Sequence, residues 1–129
     1  MKTIFGIVLV ILTCSFCWKT KNTGFETSER VSVLLRFKAI DGKKQELIDH
    51  MTNMVNNLSE NEDGTEIHTI STSPNDDYIY VYEVFSSEEA LKAHQSSEGY
   101  KKGRVKLDAL IDGPPQVTAL SLQAGKGLK

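Results

Sequence analysis

Residues 31–39, Val31-Ser32-Val33-Leu34-Leu35-Arg36-Phe37-Lys38-Ala39, alternate with a period of two. Val31, Val33, Leu35, Phe37 and Ala39 fall on one side, and Ser32, Arg36 and Lys38 fall with Leu34 on the other. That periodicity predicts a strand. After Asp41-Gly42, which supplies a turn and an N-cap, the apolar positions move to Leu47, Ile48, Met51, Met54, Val55 and Leu58. Spacings of three and four predict an amphipathic helix whose stripe must be covered by a sheet. Asn61-Glu62-Asp63-Gly64 ends the helical region, and the β-branched, half-polar run 65–72 predicts a second strand.

The turn cluster Ser73-Pro74-Asn75-Asp76-Asp77 leads into Tyr78-Ile79-Tyr80-Val81-Tyr82-Glu83-Val84-Phe85, the clearest strand in the chain. So short a link makes the two strands an antiparallel hairpin. Ser86 with Glu89 offers a capping box for a helix through Ala90, Leu91, Ala93 and His94. Ser97-Glu98-Gly99 interrupts it, and Tyr100, Arg104, Leu107, Leu110 and Ile111 resume helical spacing until Gly113-Pro114-Pro115 stops it. Residues 117–122 read as a last strand. The order β-α-β-β-α-β predicts a ferredoxin-like α+β sandwich with both helices on one sheet face. The opposite face then carries Leu34 and either the tyrosine row or the Ile79, Val81 and Phe85 row. A second copy of the chain is the simplest cover for it.

Ahead of this domain, residues 1–17 place Lys2 before an apolar run, the layout of a secretory leader too short to span a bilayer comfortably. Ile11-Leu12-Thr13-Cys14 resembles a bacterial lipobox, which would make Cys14 the lipidated N-terminus of an exported, periplasmic or membrane-anchored protein. Cleavage near Ser15 and retention as an uncleaved anchor are the competing readings. Residues 18–30 read as a polar linker, 31–124 as the folded domain and 125–129 as a tail.

Composition narrows the function further. Of 129 residues, 40% are hydrophobic and 25% charged, and 15 basic against 17 acidic side chains leave a net charge of −2. Neither disorder nor a polytopic membrane protein fits. The basic residues form no stripe with interleaved aromatics, so nucleic acid is not an expected partner, and contact with a membrane is expected through the N-terminal segment alone. Both cysteines, Cys14 and Cys17, lie in the leader, so the domain holds no disulfide and no thiolate metal site. His50, His68 and His94 sit on separate elements, and no His/Asp/Glu spacing points to a metal. There is no glycine-rich phosphate loop.

Tyr82-Glu83-Val84-Phe85, then Ala90-Leu91-Lys92-Ala93-His94, then Ser97 and Tyr100 resemble the motif of the antibiotic biosynthesis monooxygenase family. Gly64 and Gly113-Pro114-Pro115 fit the same pattern, and the resemblance spans about residues 31–122. It implies a dimeric α+β barrel with a pocket in each protomer between helices and sheet. The activity it implies is oxidation of a small aromatic or quinol-like substrate by O2 with no bound cofactor; the alternative is a non-catalytic, extracytoplasmic small-ligand-binding module.

His94 is the expected proton acceptor, its competing role being that of a half-buried packing histidine. Glu83 interrupts an apolar row and must find a donor: it orients His94, or it pairs with Arg36 or Arg104. Tyr100 stacks on a planar substrate or anchors the second half of the helix. Leu35, Phe37 and Phe85 complete the expected substrate-binding set. Many family members carry a second histidine where this chain has Gly99. At the positions where haem-degrading members use Asn, Trp and His, an ungapped alignment puts Leu35, His94 and Arg104, so haem degradation is not expected.

Overall fold

The computed structural model describes residues 29–58 and 62–127. The leader, Cys14 and most of the linker lie outside the described residues. Seven elements follow in order: β1 (Val31–Lys38), α1 (Lys44–Asn56), β2 (Thr65–Thr72), β3 (Tyr78–Phe85), α2 (Glu88–Ser96), α3 (Glu98–Asp108) and β4 (Gln116–Ser121). The strands form one antiparallel sheet in the order β2-β3-β1-β4. This is the expected ferredoxin-like α+β sandwich, with its second helix divided in two. Among the described residues, no helix is long and apolar enough to cross a membrane.

Register decides which rows face the helices. Phe37 pairs with Ile79 and Leu35 with Val81, and on the other side of β1 Leu35 pairs with Val117. Phe37, Ala39, Ile79 and Val81 join Leu47 and Met51 of α1 and Leu107 of α3 in one buried core, with Ile70 of β2 packed at its margin. Side chains two apart share a face, so Glu83 and Phe85 lie on the helix side and the tyrosines on the other. There, Tyr78, Tyr80 and Tyr82 are half-buried and engaged locally. The Arg36 guanidinium lies 4.3 Å over the Tyr78 ring, and the Tyr80 hydroxyl donates to Asp76 at 2.7 Å.

The helix ends differ in detail from the sequence expectation. Asp41-Gly42 forms a turn with Gly42 at φ +76°, where glycine is favoured, but Lys43 is the N-cap of α1 and no side chain caps it. Ser87, not Ser86, caps α2 by accepting from the Ala90 N–H at 3.2 Å. The backbone explains the shift of one residue, because the Ser86 N–H donates to the Gly64 carbonyl at 2.8 Å. Ser97 ends α2 and also caps α3 by accepting from the Tyr100 N–H.

Two glycines permit close approaches. A Cβ on Gly103 would stand 2.6 Å from Met54 Cε, a flexible group, and the Gly103 carbonyl accepts from His50 Nε2 at 2.8 Å. A Cβ on Gly64 would stand 2.4 Å from Ala90 Cβ, which is fixed to the helix backbone and cannot swing away, and 3.2 Å from Ser86 Oγ. Gly64→Ala is therefore expected to destabilise the domain by about 1–3 kcal/mol, the usual cost of overpacking. Urea denaturation reads this as a lowered midpoint at unchanged slope; an unchanged midpoint would refute the steric reading.

Candidate functional site

Between the helices and the exposed end of their sheet face lies a cavity of about 420 Å³. β1 supplies Leu35 and Phe37 to its floor, β3 supplies Val81 and Glu83, and β2 supplies His68 and Ile70. The helices close it with Met54, Leu91, His94, Tyr100 and Arg104. Hydrocarbon predominates, and the polar groups gather at one end.

His94 occupies that end and is 4% exposed. Its ring packs against Phe85 at 5.4 Å, Tyr100 at 5.0 Å and His68 at 5.8 Å between centroids. Nδ1 donates to Glu62 Oε2 at 2.5 Å, which in a neutral imidazole leaves the lone pair on Nε2. Nε2 is buried and, among the described residues, has no hydrogen-bond partner. Beyond the ring lies a second cavity of about 390 Å³ lined by Glu62, Asn57, Ser97 and Gly99, so the imidazole forms a wall between two spaces.

The fold thus brings His94, Glu83, Tyr100, Leu35 and Phe37 to one cavity. Phe85 does not line it; fully buried, it supports the His94 ring from below. Glu83 does not hold His94 either. Its near neighbour is His68, with Nε2 3.4 Å from Oε1, and the carboxylate on His94 is Glu62. Neither arginine is engaged with Glu83: Arg36 donates to Gln116 at 2.6 Å and Arg104 to Asp108 at 2.7 Å.

Glu62 and His68 were not expected at the site. Glu62 belongs to the turn before β2, where nothing local marks it. His68 could have been found from the hairpin, since it is the cross-strand partner of Glu83. The separation of His50, His68 and His94 in sequence holds in space only for His50, which is spent on the α3 backbone.

The profile of the antibiotic biosynthesis monooxygenase family matches residues 30–106. The chain belongs to that family. Among solved structures it is similar to Rv0793 from Mycobacterium tuberculosis, with 24% identity and a TM-score of 0.67 over 74% of this chain and 97% of the other. It is also similar to a provisionally described antibiotic biosynthesis monooxygenase from Caulobacter crescentus, with 20% identity and a TM-score of 0.69 over 74% and 92%. A third, from Nitrosomonas europaea and similarly described, has 17% identity and a TM-score of 0.69 over 78% and 96%. At these identities the structures establish a shared fold. No sequence among curated proteins matches the chain.

Within this monooxygenase-family domain, burial dominates the electrostatics of the polar end. It pushes the His68 pKa down to about 4, with the neighbouring His94 lowering it further and Glu62 partly opposing. Burial also raises the Glu83 pKa, which His94 partly offsets. His68 is therefore neutral near pH 7. Because its folded pKa lies below the ordinary value near 6.5, the unfolded chain binds the extra proton first as pH falls. Stability is expected to decline between about pH 6.5 and 4, by up to about 3 kcal/mol from this residue. Denaturation midpoints across that range should flatten in His68→Leu; an unaltered pH slope would contradict the burial account.

Proposed function

We propose that this chain is a cofactor-independent oxygenase that oxidises a small aromatic or quinol-like substrate with O2. The observation that carries the reading is the buried, unpartnered Nε2 of His94 at the wall of an apolar cavity, with its ring fixed through Nδ1 by Glu62. A planar phenolic substrate fits a hydrocarbon floor of Leu35, Phe37 and Val81 under the Tyr100 ring.

His94 Nε2 takes the substrate's hydroxyl proton, and Glu62 pairs with the imidazolium that results. The substrate anion passes an electron to O2, and recombination of the two forms the new carbon–oxygen bond. One oxygen atom stays on the ring and the other leaves as water, all four electrons coming from the substrate. The protein contributes proton removal, orientation and a dry enclosure.

Gly99 favours a second reading, a non-catalytic module that holds a small hydrophobic ligand. It replaces a histidine common in the family and lines the second cavity with open space around it. Export of the domain belongs to the same proposal and rests on the apolar leader.

Oxygen uptake with dihydroxynaphthalene-type quinols tests the first reading. The wild type is expected to exceed the buffer rate, His94→Ala to lose at least about 100-fold and Glu62→Gln about 10-fold or more, in the range of general-base losses. Quinol binding by calorimetry without oxygen uptake would overturn oxidation in favour of the binding module.

A homodimer is part of the proposal. Its support is the row of Tyr78, Tyr80 and Tyr82 on the sheet face away from the helices, with Leu120 42% exposed at its edge. Light scattering at micromolar concentration should give the mass of two chains; a stable monomer would refute the pairing.

A further inference from the structure

His68 on β2, Glu83 on β3 and His94 on α2 each offer one ligand atom, and these atoms all lie within 4.8 Å of one another. One edge of the triangle is set by the hairpin. His68 Nε2 and Glu83 Oε1 are 3.4 Å apart, about the ligand-to-ligand separation around a tetrahedral ion with metal–nitrogen bonds of ~2.0–2.1 Å. The third corner comes from the helix above, where His94 is buried and its Nε2 has no partner among the described residues.

Two further observations point to a cation at the centre. Among the described residues the buried His94 Nε2 has no partner, and desolvation penalises such an orphaned lone pair unless something fills the space it faces. His94 also gives its other nitrogen to the Glu62 carboxylate. Metal-bound histidines are held in this way, because the outer carboxylate fixes the tautomer and strengthens the donor.

The geometry points to a site for one divalent first-row transition-metal ion, held by His68, Glu83 and His94, with its remaining coordination positions open to the 420 Å³ cavity. Two imidazoles and one carboxylate suit Zn²⁺, Fe²⁺ or Co²⁺; Ca²⁺ and Mg²⁺ demand more oxygen ligands than this wall provides. Three protein ligands with open positions also describe a site at which a cavity-bound molecule can reach the ion. This inference goes beyond the proposed oxidation and competes with it. Nε2 has one lone pair, so the loaded protein cannot take a substrate proton there, and metal inhibits the metal-free reaction.

The test is titration of the full-length chain, stripped with EDTA, with Co²⁺, followed by ligand-field absorption. Saturation at one equivalent is expected, without the thiolate charge-transfer band that binding at Cys14 or Cys17 would give. Glu83→Gln, nearly identical in shape, should weaken binding at least about 100-fold, and Glu62→Gln by about 10–100-fold, the usual loss for an outer-shell partner. His50→Ala should bind as the wild type does. No saturation in protein shown by circular dichroism to be folded, or undiminished affinity in both Glu83→Gln and His68→Ala, would overturn the site. The titration reads metal alone, so a chain that binds Co²⁺ but consumes no oxygen when metal-free refutes only the oxidation.

Discussion

Strand β3 can bury Ile79, Val81 and Phe85 beneath the helices in only one orientation, and that orientation carries Glu83 to the same side. Shifting the strand by one residue would replace three apolar side chains with tyrosines, so the carboxylate is held under the helices by the burial of its neighbours. Fully burying an aliphatic or aromatic side chain contributes about 1.5–3 kcal/mol, enough for three of them to outweigh the desolvation of one acid. The hairpin register then puts His68 opposite Glu83, and α2 lowers His94 onto both. A polar cluster inside an apolar wall follows from a period-two constraint in the sheet.

The two ends of the helix-covered face divide the work of the domain. At one end Leu47 and Ile79 are fully buried, and Phe37, Met51 and Leu107 pack on them while also lining the cavity. At the other, α2 covers the sheet less completely, and the cavity opens beside His94. The core end can hold the fold while the cavity end carries buried groups that do not contribute to stability. Such a division is expected wherever burial of ionisable groups serves chemistry.

Most of the architecture was legible along the chain. The alternation in 31–39, the tyrosine-rich strand and the stripe from Leu47 to Met54 each reported their partner surface through periodicity. The order of elements followed from them. What local pattern could not supply was the choice between adjacent serines at the start of α2, since the bond from the Ser86 N–H to Gly64 decides it from 22 residues away. His94 was legible through its motif. Its acid was not: Glu83 shares the motif and the face, yet Glu62 reaches the ring from a turn whose position depends on the whole sheet. His68 was dismissed for its distance in sequence, a distance the hairpin removes.

Gly64 and Ala90 meet where the turn bearing Glu62 touches the helix bearing His94, and Ala90 stands one helical turn before that histidine, on the same side of the helix. The missing side chain at Gly64 therefore acts as a caliper. How far the acid stands from the imidazole is set by the thickness of a backbone against a methyl group, remote from either ionisable atom. A change at that stop would retune the nitrogen through leverage alone, leaving every group that touches a ligand in place.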